Sequence, residues 1–171
     1  MVLKGDFNMI EIHGKSLSLR TMTQKEMRAL WRKFVPEGDK NFVYNEEVID
    51  KMYDHSVERE EWNPTVGIFS KTDEVIGELT FERIVYSELR CDLAIFLANE
   101  SYRNKGLGTE AIMLAKKYAK EKLGLKRMYA DVSVNNARMR AVMKKCGFMN
   151  TKTFKGDMPD GSDRLVYFAL L

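Results

Sequence analysis

The sequence predicts one α/β domain over residues 1–171, with a mixed central sheet of about seven strands and helices on both faces. Several short segments alternate apolar residues with others, which is typical of strands. Other segments place apolar residues at helical spacing. Consecutive strands are joined by short turns, which favours a mixed sheet over a purely parallel one. The composition, 44% hydrophobic and 31% charged, is ordinary for a globular domain of this size.

The first half of the chain predicts three strands and two helices. Thr23 and Glu26 match a capping box, in which each residue satisfies a free N–H group of the other at a helix start. Residues 1–10 show no such signal, and we expect them to be loosely ordered. In order, the predicted elements are a strand over 17–20, a helix from Thr23 to the breaker at Pro36, a helix over 46–55, and a hairpin of strands over 65–70 and 75–85.

The second half predicts four strands and two helices. A strand over 89–97 has alternating apolar residues, and the helices each have one apolar face. In order, the predicted elements are that strand, a helix from Leu107, a strand over 128–133, a short helix between Asn136 and Gly147, and a hairpin of 151–154 with 165–171 around a Pro-Asp-Gly turn.

The segment from Arg103 to Thr109, between a strand and a helix, is the most informative part of the sequence. It reads R-x-x-G-x-G, with glycines at 106 and 108. Glycine lets the main chain turn tightly and approach a ligand closely. The free N–H groups and the dipole of a helix start attract negative charge. The segment therefore predicts a cradle for an anion such as a pyrophosphate.

The order of motifs around this segment resembles a known family. Strand, R-x-x-G-x-G loop, helix, strand, asparagine, helix and Gly147-Phe148 resemble the core of the GCN5-related N-acetyltransferases (GNAT), from about Val75 to Phe148. The closing NNARMRAVMKKCGF is similar to the branch with ribosomal-protein N-terminal and spermidine acetyltransferases. The resemblance implies an N-acetyltransferase domain whose sheet splays between the fourth and fifth strands. The pantetheine arm of the co-substrate acetyl-CoA would lie in that opening.

The resemblance also assigns coenzyme-binding residues. Main-chain N–H groups at the end of the 89–97 strand would pair with the pantetheine arm and stabilise charge on the thioester oxygen. Asn136 matches the family's asparagine at the head of the last helix, where it would cap the helix, bind the pantetheine arm, or do both. The expected coenzyme-binding residues are Phe96, Leu97, Ala98, Arg103, Asn104, Lys105, Gly106, Leu107, Gly108, Thr109 and Asn136.

Asp92 is the expected catalytic base. A primary amine has a pKa of about 10 in water, so a nearby carboxylate is needed to remove its proton at neutral pH. Asp92 lies eleven residues before Arg103, the separation at which family members with a base on this strand carry a glutamate. Asp is one methylene shorter, so a bridging water is expected. A salt-bridged or solvated strand carboxylate is the alternative, and Glu82 and Glu88 are substitutes for the base.

The proton donor for the leaving thiolate is unassigned. Many family members carry a tyrosine four residues before the Gly-Phe pair, and here that position is Met143. A thiolate with a pKa of about 8.5 is a fair leaving group, so water can protonate it. The departure from the family pattern leaves open a second function, a catalytically silent acyl-CoA-binding module.

A dinucleotide-binding domain is a third interpretation. Residues 106–111, GLGTEA, also satisfy G-x-G-x-x-A, and Asp131 lies where such a fold places its ribose-binding acid. A dinucleotide turn starts almost at the end of its strand, however, whereas eight residues separate Leu97 from Gly106. The spacing therefore favours the acyltransferase interpretation.

Charge is unevenly distributed along the chain. Between Glu37 and Glu61 there are nine acidic residues and three Lys or Arg, and between Arg103 and Lys145 twelve Lys or Arg and three acidic residues. The basic stretch suits coenzyme phosphates, and the acidic stretch suits a cationic acceptor. The acceptor is expected to be a small-molecule amine, such as a polyamine or an aminoglycoside, or a protein N-terminus. Two solvated helix faces are the alternative.

Several other classes of protein are disfavoured. Cys91 and Cys146 have no C-x-x-C spacing, which indicates free thiols in a reducing cytoplasm. Cys146 fits an apolar helix stripe and is interpreted as structural, not as a covalent acetyl carrier. With two histidines, no metal site is expected. We expect a cytoplasmic enzyme with no nucleic-acid partner and no membrane span. Family habit suggests a homodimer.

Overall fold

The computed structural model of the chain describes residues 10–36, 42–59 and 63–171. The strands are β1 (Glu11–His13), β2 (Leu17–Arg20), β3 (Thr65–Ser70), β4 (Val75–Val85), β5 (Arg90–Leu97), β6 (Arg127–Ser133), β7 (Met149–Phe154) and β8 (Arg164–Leu170). The helices are α1 (Gln24–Arg32), α2 (Glu46–Glu58), α3 (Leu107–Glu121) and α4 (Ala137–Lys145).

The strands form one eight-stranded sheet in the order β1-β2-β3-β4-β5-β6-β8-β7. Within the described ranges only β5 and β6 pair in parallel, and the other neighbours are antiparallel. The predicted mixed sheet is thus confirmed. The structure has one strand more than the seven predicted, because β1 is too short for its alternation to be recognised. It pairs with β2, with Glu11 opposite Arg20.

Local signals set the helix boundaries. The Thr23 hydroxyl accepts from the Glu26 N–H and the Glu26 carboxylate accepts from the Thr23 N–H, so the predicted capping box is confirmed. Helix α2 continues past the predicted end at His55 to Glu58, since no glycine or proline interrupts it. Gly147 ends the turn after α4 with a φ of 79°, a left-handed conformation that favours glycine.

Helices cover both faces of the sheet, as predicted. One hydrophobic cluster joins the sheet to α3 and α4, with Ile112 and Met143 buried. A second joins it to α1 and α2, with Leu30 and Ile49 buried. Successive residues near the end of β5 pack against alternate clusters, which places the two clusters on opposite faces. Ile95 and Leu97 contact the first cluster, and Phe96 contacts the second.

The parallel pairing of β5 and β6 is short and positions the site. It extends from Arg90 opposite Arg127 to Asp92 opposite Tyr129. Beyond Asp92, β5 continues to Leu97 and pairs only with β4. The sheet is therefore open between β5 and β6, which are the fourth and fifth of the predicted strands, and the β6-facing edge of residues 93–97 has no strand partner in the described chain.

Candidate active site

A cavity of about 750 Å³ lies beside this open edge. The glycine loop (Arg103–Thr109), the end of β5 and the start of α4 form most of its wall. A cavity of this volume is typical of small-molecule sites. The described lining residues are Phe34, Pro36, Ile95, Phe96, Leu97, Tyr102, Arg103, Asn104, Gly106, Leu107, Gly108, Thr109, Asn136, Ala137, Arg138, Met139, Ala141, Val142 and Lys145.

The glycine loop presents main-chain groups to the cavity. Asn104 and Gly106 have φ angles of 59° and 79°, in the left-handed region that asparagine and glycine tolerate best. Gly106 is the N-cap of α3 and has no side chain to bond the free N–H groups of the first turn. The helix therefore begins at the cavity with uncapped donors and the positive end of its dipole.

Gly108 leaves open space in the cavity wall beside the start of α3. A Cβ atom built on Gly108 would meet no heavy atom within 4 Å. Packing inside the protein therefore does not require glycine at this position. Because Gly108 lines the cavity in the first turn of α3, the open space is available to a ligand that approaches the main chain closely.

Three cationic side chains line the cavity near this helix start: Arg103, Arg138 and Lys145. Glu100 bridges the first two, since its carboxylate oxygen lies 2.5 Å from Arg103 Nη1 and 3.5 Å from Arg138 Nη1. The hydrogen bond from Arg103 holds the pKa of Glu100 below its usual range. The sequence prediction missed Arg138 and Lys145, although the basic stretch contains both. Lys105, which was predicted, is exposed and does not belong to the described lining.

The predicted residues on β5 differ in their main-chain partners. The Ala98 N–H donates to the Ile76 carbonyl and the Ala98 carbonyl accepts from Val35, so its main chain has no free group for a coenzyme. In an antiparallel ladder, successive residues direct their N–H groups to opposite sides. Since the Ala98 N–H points to β4, the N–H and carbonyl groups of Leu97 and Ile95 point to the open side. In agreement, Leu89, an even number of residues before both, directs its carbonyl to β6, where it accepts from the Arg127 N–H.

Helix α4 contributes Asn136 and its first turns. The Asn136 side chain accepts from the Met139 N–H at 2.9 Å and caps the helix, and both residues line the cavity. Met143, at the position where many family members carry a tyrosine, is 2% exposed and lies in the core. It does not contact the cavity, so the proton donor stays unassigned.

Asp92 lies outside the described lining of the cavity. It is 9% exposed. Its Oδ2 accepts two hydrogen bonds from the Arg83 guanidinium, one of them at 2.7 Å from Nε. By strand geometry it lies about 13 Å from Phe96 along β5. The ion pair matches the salt-bridged alternative raised above, and the role of Asp92 as a base stays a prediction.

A second carboxylate, not selected from the sequence, is also outside the described lining but lies opposite a residue of that lining. Glu78 on β4 is directly opposite Phe96 on β5, so the two side chains share one face of the sheet. Burial raises the pKa of Glu78 to about 7, and the nearby Trp31 indole acts in the opposite direction. Neither Glu78 Oε2 nor Trp31 Nε1 has a hydrogen-bond partner among the described residues, and both atoms are buried. The signal in the sequence is one acid in an otherwise apolar stretch of β4.

Aromatic side chains surround this end of the cavity. Trp31, Phe34, Phe42 and Phe96 form an aromatic cluster. Ring centroids of Phe34 and Phe96 are 4.8 Å apart, and Trp31 lies 5.3 Å from Phe96. Phe42 lies 5.4 Å from Phe34. Phe34 and Phe96 line the cavity, with Trp31 and Phe42 behind them.

The acidic stretch is partly neutralised by α1. Arg28 binds Asp50 at 2.5 Å, and Glu46 binds Arg32 at 2.5 Å. The remaining predicted acids in the described part of α2 are Glu47, Asp54 and Glu58, all exposed. Glu37, Asp39, Glu60 and Glu61 lie outside the described residues. The described part of this stretch therefore attracts cations less than its composition predicts.

The two cysteines and Asp131 lie outside the described lining of the cavity. Cys146 and Cys91 are buried free thiols, and burial raises the pKa of both, that of Cys91 to about 12. Over the described ranges, no three His, Cys, Asp or Glu residues are grouped as metal ligands, and no helix is long and apolar enough to cross a membrane. Asp131 binds Arg164 at 3.1 Å, and the sheet is mostly antiparallel, so the dinucleotide interpretation does not fit.

The acetyltransferase (GNAT) domain family model matches residues 16–149. A protein similar in sequence is the uncharacterized N-acetyltransferase YnaD of Bacillus subtilis. It is 26% identical over 172 residues, which cover 95% of this chain and 97% of YnaD. The range matched by the family model includes every described residue that lines the cavity.

Solved structures share the fold. The ribosomal L7/L12 α-N-protein acetyltransferase RimL is 17% identical with a TM-score of 0.81, and the match covers 99% of each chain. The microcin C7 self-immunity acetyltransferase MccE, solved with acetyl-CoA and AMP, is 18% identical with a TM-score of 0.79 over 92% of this chain and 94% of that chain. At these identities the likeness is one of fold.

Proposed function

The chain belongs to the acetyltransferase (GNAT) domain family, and from that premise we propose that it transfers an acetyl group from acetyl-CoA to a primary amine by direct attack in a ternary complex. One observation carries the proposal: the first turn of α3 is uncapped, begins with a left-handed glycine, and has open space at Gly108 in the cavity wall. That arrangement suits a pyrophosphate. MccE, of the same fold, binds acetyl-CoA.

Different parts of the cavity wall would bind the diphosphate, the pantetheine arm and the thioester of the coenzyme. The main chain of residues 106–109 would hold the diphosphate, with Arg103, Arg138 and Lys145 supplying charge. The open edge of β5 would pair with the amides of the pantetheine arm through the Leu97 and Ile95 main chains. A donor on this edge would also stabilise the thioester oxygen as charge develops.

The acceptor is an amine of a small molecule or of a protein N-terminus, as the sequence predicts. Thiol release from acetyl-CoA, followed over a panel of amines and basic peptides, tests the function. We expect turnover on at least one class and none without an amine.

Size-exclusion chromatography of the same preparation tests the predicted homodimer.

A catalytically silent acyl-CoA-binding module is the second candidate, favoured by the buried Met143 in place of a tyrosine. Calorimetric titration with desulfo-coenzyme A separates the two. Tight binding without turnover on any amine would select the silent module. Absence of binding would reject both functions.

A further inference from the structure

We propose that Glu78 and the aromatic cluster form the acceptor pocket, that Glu78 takes the proton from the acceptor's ammonium group, and that the acceptor is a primary amine attached to an apolar or aromatic group. This inference rests on the proposed acetyl transfer and names its base and its substrate class. It replaces Asp92 as the base.

Position is the first argument. A base must lie within hydrogen-bond reach of the amine, directly or through one water. The thioester is expected at the end of β5, beside Phe96, and Glu78 is directly opposite Phe96 in the β4–β5 ladder. Side chains so placed have Cβ atoms about 5 Å apart. Asp92 lies four residues further back along β5.

Availability is the second argument. The Asp92 carboxylate is ion-paired with Arg83 through Oδ2, and only its buried Oδ1 lacks a hydrogen-bond partner in the described chain. Glu78 Oε2 has no partner in the described chain, and Trp31 Nε1 beside it also has none. A buried acceptor and a buried donor left unpaired side by side are unusual in a folded protein. An ammonium group or a water bound there would satisfy the carboxylate.

Charge is the third argument. Arg20 lies in the same cross-strand row as Glu78, separated by Gly67 on β3, but it is paired with Glu26 and Asp73. On α1, Arg28 and Arg32 are paired with Asp50 and Glu46. No cation in the described ranges neutralises Glu78, so a ligand can supply one. A pKa of about 7 also suits a base that works at neutral pH.

The aromatic cluster selects the substrate class. Aromatic faces attract a cation and bury apolar groups. Among the described residues, Glu78 is a carboxylate beside this cluster with no cationic partner, which matches one ammonium group. A polyamine would instead need further unpaired acids, and those of α2 nearest to α1 are bound to arginines. We therefore expect phenethylamine or tryptamine to be better acceptors than spermidine.

The proposed step balances as follows. The ammonium group gives one proton to the Glu78 carboxylate, and the neutral amine forms a bond to the thioester carbonyl carbon. The C–S bond then breaks, and the thiolate leaves with the electron pair. The nitrogen loses a second proton, which neutralises the thiolate, and Glu78 returns its own proton to water.

The test compares Glu78→Gln with wild type, with Glu121→Gln on the exposed end of α3 as a control for loss of one acid. We expect Glu78→Gln to lower kcat about 100-fold or more, to leave the Kd of acetyl-CoA unchanged, and to abolish the rise of kcat/KM with pH near 7. Glu78→Asp should recover at least about tenfold of the lost kcat.

The outcomes separate this inference from the proposed function. If wild type neither binds acetyl-CoA nor transfers acetyl groups, the proposed function itself fails. If wild type is active and Glu78→Gln has the same kcat and pH profile, Glu78 is not the base. If spermidine has a higher kcat/KM than phenethylamine and tryptamine, the substrate class is wrong. Thermal unfolding of each variant, measured alongside, verifies that lost activity is not lost structure.

Discussion

The two ends of the cavity are built by different means. At the glycine loop, consecutive residues of one segment shape the main chain. Gly106 and Gly108 leave the main chain open to a ligand because they have no side chain. At the other end, Trp31, Phe42, Glu78 and Phe96 come from four separate segments and act through their side chains. A larger side chain at the first end should therefore block coenzyme binding, whereas the second end depends on the charge of one residue, Glu78. The substitutions at Glu78 and Gly108 each change one end and leave the other intact.

The largest effect is expected at the side-chain end, on stability. The folded pKa of Glu78, about 7, lies above the ordinary 4.5, so the folded state holds the proton more tightly than the unfolded chain. Stability of the wild type should fall as pH rises from about 4.5 to 7, by about 3 kcal/mol at most. Glu78→Gln removes this loss.

Urea unfolding at pH 5 and pH 8 measures the difference. The free energy of unfolding of Glu78→Gln, relative to that of wild type, should increase between pH 5 and pH 8. This difference should stay constant above pH 8. An equal stability difference at both pH values would contradict a buried, uncompensated carboxylate. Glu121→Gln, which alters an exposed acid, should show no such trend.

At the main-chain end, Gly108→Val should raise the Kd of coenzyme A about 100-fold, which corresponds to about 2.7 kcal/mol. A Cβ atom at this position would meet no protein heavy atom within 4 Å, so we expect the free energy of unfolding to change by less than about 1 kcal/mol. Calorimetry measures the affinity. Gly108→Ala should have a smaller effect, and unchanged affinity in the Val variant would mean that the coenzyme does not approach this turn.

The contrast between the two ends also explains what could be predicted from the sequence. The glycine loop, the cap at Asn136 and the capping box at Thr23 depend on residues within a few positions of one another, and the structure has these local features as expected. The order of elements followed from periodicity for the same reason. Strand β1, with three residues, carries too little periodicity.

The acceptor end could not be predicted in this way. Glu78 and Phe96 are neighbours only because of the β4–β5 register, and Trp31 reaches them from α1. The pairing of Asp92 with Arg83 likewise depends on the position of Arg83 at a left-handed residue near the end of β4, with a φ of 49°. Spacing along the chain selected Asp92, whereas the ion pair of Asp92 with Arg83 and the position of Glu78 opposite Phe96 distinguish the two in three dimensions.

Asp92→Asn tests this distinction directly. If Glu78 is the base, kcat should stay within about threefold of wild type, since Asp92 would touch no reacting group. Stability should fall by about 1–2 kcal/mol, because the buried side chain at position 92 loses its charged hydrogen bonds to the Arg83 guanidinium. A loss of kcat with unchanged coenzyme affinity and stability would restore Asp92 as the base.

The smallest effect is expected at Asn136, which caps α4 in the wall of the cavity. Asn136→Ala removes the bond to the Met139 N–H and should lower stability by about 1 kcal/mol, as the loss of an N-cap usually does. Asn136→Ser keeps a capping oxygen and should restore most of that stability. If both variants bind coenzyme A as wild type does, Asn136 acts as a cap alone. Weaker binding by Asn136→Ser with restored stability would show that the amide group itself contacts the pantetheine arm.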